Sequence, residues 1–223
     1  AKLLERVNAG VTQIKITKDI VVTEPICVSY NATIYADKNV SLIRDPNYAG
    51  DLLAIGRDKD GVQAVMNHRS VTVNLGGGKG TLTIDGNRGN VNVTVVGSAV
   101  YNGDSAVLNL YDGIRIANNE KLGNQRSYAN DWFSESTMKC VGGAGIANIN
   151  ATVNMYGGSI ENNKVATAYT EETAEDGTVS SKEYYGQGGG VYNYGNFNMY
   201  GGTIKGNEAL RGGGFYSGRI AYL

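Results

Sequence analysis

Two stretches of this 223-residue chain hold the side chains best suited to chemistry. EKLGNQRSYANDWFSESTMKCV (120–141) carries Tyr128, Asp131, Trp132, Phe133 and Glu135, among them the single tryptophan of the chain. KVATAYTEETAEDGTVSSKEYYG (164–186) carries Tyr169, Tyr184 and Tyr185 among Glu171, Glu172, Glu175, Asp176 and Glu183. An aromatic face stacks on the C–H side of a sugar ring while acids and amides bond its hydroxyls, so this mixture suits a neutral glycan. Trp132, Phe133, Tyr128, Tyr169, Tyr184 and Tyr185 are therefore the candidate ligand-binding residues. The same composition also suits aromatics that pin the segments to a scaffold and acids that stay in water.

The acids raise a second chemistry. Glycoside hydrolysis needs two carboxyls, roughly 5–5.5 Å apart for retention or 6.5–9.5 Å for inversion, one of them kept protonated. Asp131 with Glu135, or either with Asp112 or Glu161, are the candidate catalytic pairs, and spacing along the chain does not fix their distances. Other motifs fall short of their chemistry. LGGGKGT (75–81) places Gly80 where a phosphate loop needs Ser or Thr directly after the lysine. His68 is the only histidine, too few for a triad or a zinc site, and DKDG at 58–61 lacks the rest of an EF-hand. No compact acid cluster sits with a lysine or arginine as a Ca²⁺-dependent lyase would want. No metal and no cofactor is expected, Ca²⁺ having no supporting motif.

What positions the two stretches is a repeat. VNLGGGKGTLTIDGN (73–87), LNLYDGIRIANN (108–119), VNMYGGSIENN (153–163) and FNMYGGTIKGN (197–207) alternate with SAVYN (98–102), GAGIAN (143–148), GGGVYN (188–193) and GGGFYS (212–217). The apolar residues Val100, Ile146, Val191 and Phe215 of the second set lie 46, 45 and 24 positions apart, so the last interval is the bare unit. It holds three short runs of apolar and polar residues in alternation, separated by Gly and Asn, with no helical period. Such runs bury a face only by stacking on copies of themselves. The unit matches one coil of a right-handed parallel β-helix with three short strands per coil, and about seven coils would give a rod of roughly 35 Å.

Stacking predicts columns of identical residues. Asn87, Asn119, Asn163 and Asn207 should form one, Asn102, Asn148 and Asn193 another, and Tyr111, Tyr156 and Tyr200 a third. Val100, Ile146, Val191, Phe215, Ile84, Ile116, Ile160 and Ile204 should point inward. QIKITKDIVV (13–22) and ICVSYNATIYA (26–36) read as earlier coils, and KLLERV (2–7) as a short helix capping the open end. The chain is expected to be one all-β domain, a fragment of a longer protein, with inserted loops at 57–70, 120–141 and 164–187. Cys27 and Cys140 fall some three coils apart, too far for a bridge to each other.

Composition bounds the partners. The net charge of −1 gives no reason to expect nucleic acid, and no apolar run approaches the ~20 residues of a membrane span. With 32 Gly, 15 Tyr and only 2 Pro, the chain reads as ordered and dense in turns.

The alternation of GGGVYN with FNMYGGTIKGN resembles the repeats of adhesin-like right-handed β-helix proteins of microbial cell surfaces, within the pectate lyase-like solenoids, best over residues 98–217. The resemblance implies an extracellular or cell-surface location and a non-catalytic role, with the loops displaying a patch for a glycan or a surface protein of a host or neighbouring cell. Separately, the last coil has no capping segment like that at 2–7, so end-to-end self-stacking is expected as a further contact. A glycoside hydrolase on the same fold is the alternative.

Overall fold

The computed structural model describes residues 2–57, 70–125, 142–173, 179–218 and 221–222. It is all-β apart from the helix Lys2–Asn8, with parallel sheets curled around a common core. The chain visits three faces in rotation. Strands Ile26–Val28, Leu53–Ile55 and Val100–Gly103, the starts of Ile146–Met155 and Val191–Met199, and Phe215–Ser217 stack in parallel on the first. Gln13–Ile16, Ala32–Ala36, Thr72–Leu75 and Val107–Leu110 form the second with the far halves of the same two long strands. Ile20–Val22, Val40–Arg44, Leu82–Asp85, Ile114–Ala117, Ser159–Glu161 and Thr203–Lys205 form the third. Because the two long strands run through the corner, the first and second faces join into one 11-stranded sheet.

Pairing in register places like on like. Ile26, Leu53, Val100, Ile146, Val191 and Phe215 form an inward column on the first face. Ile14, Ile34, Leu75, Leu110, Met155 and Met199 do so on the second, and Leu42, Ile84, Ile116, Ile160 and Ile204 on the third. Burying each such side chain is worth about 1.5–3 kcal/mol, and no coil can do it alone. Ile204 and Phe215, in the last coils, are only half-buried. At the other end Leu3 and Val7, one helical turn apart, are buried and join the core, as the amphipathic pattern of 2–7 predicts.

The corner between the first two faces is built in two ways. In the lower coils it is filled by Val28 and Ile55, and above them by Asn102, Asn148 and Asn193, all fully buried. Asn102 donates to Asn148 Oδ1 (2.8 Å), Asn148 to Asn193 Oδ1 (2.6 Å) and Asn193 to Ser217 Oγ (3.1 Å). The same amide nitrogens donate to corner carbonyls of Thr152, Ala151, Asn196 and Gly195. A buried corner carbonyl without a ladder partner is costly, and the asparagine column supplies the donor. Asn102 Oδ1, facing the apolar Ile55 below, is the one amide oxygen of the column with no partner.

The column at the corner after the third face differs from its sequence alignment. Asn119 and Asn163 each receive the Oδ1 of the next asparagine on their backbone N–H, from Asn163 (3.0 Å) and Asn207 (2.9 Å). Asn87 is not a rung. It takes the left-handed conformation (φ 57°) shared by Asn118 and Asn162 (both 56°), because this coil reaches its corner one residue later, and its amide donates to the Arg44 carbonyl. Gly86 lies against Asn119 instead, where a Cβ would overlap the asparagine. Through that space Arg44, fully buried, reaches from two coils below to donate to Asn119 Oδ1 at 3.2 and 3.0 Å.

The expected outcome for the first corner is asymmetric. Asn148→Leu orphans Asn193 Oδ1 and two corner carbonyls and should lower stability by about 3 kcal/mol or more. Asn102→Leu removes an oxygen that already lacks a partner and should cost roughly half as much, both read from urea denaturation midpoints.

Candidate functional site

The 120–141 and 164–187 segments leave the stack at the corner between the third and first faces. Lys164–Ala166 first pairs in parallel with Glu120–Leu122 of the preceding coil, extending the stack by one rung. Beyond it, Ala168–Thr173 and Val179–Tyr185 form an antiparallel hairpin where a loop was expected. Its returning strand also pairs with Asn124–Gln125 at the start of the other insertion, so the two segments meet there. Tyr169, Thr170, Thr173, Val179, Tyr184 and Tyr185 are residues that favour strands, and the acids among them obscure the pattern in the sequence.

In the next coil the link is short, and a hollow of about 550 Å³ lies at the step, between Lys164, Val165 and Thr167 on one side and Asn207, Glu208 and Leu210 on the other. Gly186 allows this close approach, since a Cβ there would fall against the Val165 carbonyl and the Leu210 amide. Charges ring the rim. Arg88 lies 2.7 Å from Glu120 and 3.6 Å from Glu208, and Lys164 is 3.8 and 3.9 Å from the same two acids. Exposed pairs of this kind contribute little to stability, but they fix the rim's shape. Leu210 is 59% exposed beside them, an apolar contact on a polar border.

Of the candidate residues, Tyr169, Tyr184 and Tyr185 lie on the hairpin, where Tyr169 pairs with Glu183, Tyr184 with Ala168 and Gln125, and Tyr185 with Asn124. Trp132, Phe133, Tyr128, Asp131 and Glu135 lie outside the described residues, as do Cys140, His68, Asp58 and Asp60. Asp112 and Glu161 are described and are not brought together. Asp112 is exposed and precedes Ile114–Ala117, whose far end pairs with Glu161, a separation of about 16 Å along the strand direction.

Glu161 is held as a structural anion. Burial pushes its carboxyl up, but hydrogen bonds and charge from Arg115 and Lys205 outweigh this and leave it below the ordinary glutamate value. Arg115 Nε lies 2.5 Å from Oε1 and Lys205 Nζ 3.3 Å from Oε2. Such a group is poorly disposed to be the protonated acid of a glycosidase pair.

Sequence reasoning missed a charged cluster on the inner side of the same corner, in earlier coils. Arg44 donates to the Tyr48 carbonyl (3.0 Å) and the Gly50 carbonyl (2.5 Å) as well as to Asn119, and burial lowers its guanidinium to about 10. Burial pushes the Asp51 carboxyl up, against the opposing pull of Lys121 and of the Ser98 N–H that it accepts at 2.6 Å. Lys121 is itself buried, with Nζ 3.5 Å from Ser98 Oγ. A raised acid beside buried cations has the composition of an acid–base site, but Arg44 and Lys121 are closed off from solvent, and Arg44 is spent on the Tyr48 and Gly50 carbonyls and Asn119 Oδ1. Nearby, Arg57 stacks over the Tyr101 ring (4.6 Å), donates to its hydroxyl (2.9 Å) and pairs with Asp104 (3.0 Å), anchoring the chain where the 57–70 insertion departs. Burial pushes the Tyr101 phenol up to about 12.

Among the described residues no three His, Cys, Asp or Glu side chains gather as metal ligands, and no helix is long and apolar enough to cross a membrane. Compared with protein-family models, curated proteins and solved structures, the chain gives no match.

The Glu161 pairs give a pH-dependent expectation. Because the folded value is depressed, their stabilisation is present above the unfolded glutamate value near 4.3 and is lost as pH falls through the folded one. Glu161→Gln should therefore lower stability by about 1 kcal/mol at pH 7 and by progressively less below about pH 4, read from urea midpoints across that range.

Proposed function

We propose that the chain is part of a right-handed parallel β-helix that serves as a non-catalytic scaffold at a cell surface, displaying one corner to a glycan or to a protein of a neighbouring cell. Rotation through three parallel faces supports the coil reading, and right-handed crossovers are the rule for parallel strands in one sheet. The observation that carries the display role is the pairing of Asn124–Gln125 with Tyr184–Tyr185. It joins the described start of one aromatic-rich insertion to the returning strand of the other, on adjacent coils. Departures from a repeat mark where a solenoid does something besides hold itself up, and here two departures converge. The ion-paired state of Glu161 weighs for binding over hydrolysis.

The test is a glycan array with the purified chain, followed by adhesion of coated beads to cells. Trp132→Ala should weaken capture roughly 10-fold or more while leaving the urea midpoint unchanged, as expected for an aromatic anchor. An array without binding, together with adhesion indifferent to Trp132→Ala, removes the proposal.

A further inference from the structure

A second feature lies at a different corner, between the second and third faces, and no described residue of the insertions lines it. Tyr111, Tyr156 and Tyr200 stack there as the repeat predicts, with ring centroids 5.3 and 5.1 Å apart and planes within 14° and 10°. Followed toward the N-terminus, the column loses a rung. Tyr111 follows Leu110, which pairs with Leu75, so the position beneath Tyr111 is Gly76. Ile34 pairs with Leu75 in turn, so the next position down is Tyr35, and below it is Lys15. The column reads Tyr200, Tyr156, Tyr111, Gly76, Tyr35, Lys15.

The gap is enforced by the backbone. Gly76 has φ 92°, and a Cβ on it would press on the carbonyl oxygens of Asp112 (2.7 Å) and Tyr111 (2.8 Å), so no side chain can supply the missing ring. What remains is a hollow of about 400 Å³ with Tyr111 at one end and Tyr35 at the other, floored by Thr33, Asn74 and Gly76 with Gln13 at its rim. Two strand spacings separate the flanking rungs, about 10 Å. One ring stacked on both tyrosines at the column's own spacing fills that distance. The far side of Tyr35 is already used by Lys15, whose Nζ lies 5.8 Å from the ring centroid and 2.7 Å from Asp37.

The floor decides the chemistry of the ring. Asn198, Asn154, Asn109 and Asn74 pass hydrogen bonds down the outer surface of the second face at 2.9 Å each, and Asn74 donates to Thr33 Oγ1 at 3.1 Å. Asn154, Asn109 and Asn74 each spend one N–H and one oxygen lone pair in this chain and keep one of each. The floor of the hollow therefore offers a donor and an acceptor at Asn74 beside the Thr33 hydroxyl, and Lys15, below Tyr35, is neutralised by Asp37. A hydrocarbon aromatic standing between the two tyrosines would turn an edge without hydrogen-bonding groups to Asn74 and Thr33, and an ion would find no charged side chain among the described residues that line the hollow. A ring with two C–H faces and hydroxyls around its edge meets both the walls and the floor.

The geometry points to a binding site for a single pyranose ring, held between Tyr35 and Tyr111 at the rung that Gly76 leaves vacant. The site is independent of the corner patch proposed above. It is tested by saturation-transfer NMR on the whole chain in a Trp132→Ala background, which removes the tryptophan of the 120–141 insertion, with the methyl pyranosides of glucose, galactose and mannose as probes and p-cresol as a planar aromatic. At least one pyranoside should receive transfer, strongest at its ring C–H protons, with a Kd on the order of 1 mM. Tyr35→Ala and Tyr111→Ala should each weaken it at least 10-fold, and Tyr200→Ala, two rungs above Tyr111, should leave it unchanged. Both sensitive variants alter surface rings, and urea midpoints establish that they fold. Transfer that survives both substitutions, transfer to p-cresol alone, or no transfer to any pyranoside overturns the assignment.

Discussion

Parallel pairing in register is the constraint from which the rest of this structure follows. Each strand offers its neighbour the same residue it presents itself, so any side chain that cannot stack on a copy of itself must be accommodated by something unlike it. Aliphatic residues meet the condition by packing, and the three inward columns do so over most of their length. Asparagine meets it by donating one amide to the next, and tyrosine by offset stacking. The recurrence of these few residue types in the sequence is the imprint of that condition.

The places where stacking fails are the informative ones. Where the buried asparagine column meets Ile55, an amide oxygen is left without a partner, and the corner changes from polar to apolar construction at that level. Where Gly86 interrupts the other column, an arginine threads past it from two coils below and supplies the missing donor. Where Gly76 interrupts the tyrosines, none of the described residues enters, and a hollow results. The difference is physical. A buried unpaired oxygen is expensive enough to demand a partner, whereas a gap between exposed rings is filled by water at little cost.

The same constraint explains where variation is tolerated. A strand interior cannot lengthen without breaking register on both sides, but a corner can, and the two longest insertions use one corner on adjacent coils. Their departure strands still obey the stacking rule, since Lys164–Ala166 lies on Glu120–Leu122 before the hairpin turns away. Charge is treated in the same way. Glu161 on the third face is neutralised by Arg115 and Lys205 from the coils on either side, which keeps a column of unlike charges stable.

The sequence by itself determined the all-β class, the repeat, the capping helix, the inward columns, the inner asparagines and the stacked tyrosines, because each depends on a residue type recurring at a fixed interval. Tertiary structure alone decided what happens at exceptions to the interval. Asn87 aligns with Asn119 by motif, yet one extra residue before its corner moves it out of the column. Arg44 ends an ordinary strand pattern, and its burial depends on a glycine 42 residues later and an asparagine 75 residues later. The 164–187 insertion looks like an acidic loop and folds as a hairpin because the neighbouring coil offers it a strand to pair with. Gly76 looks like one of several turn glycines, and only stacking shows that it stands between two tyrosines. A periodic signal can be read along the chain, but the contacts that answer its interruptions come from other coils and exist only once the coils are stacked.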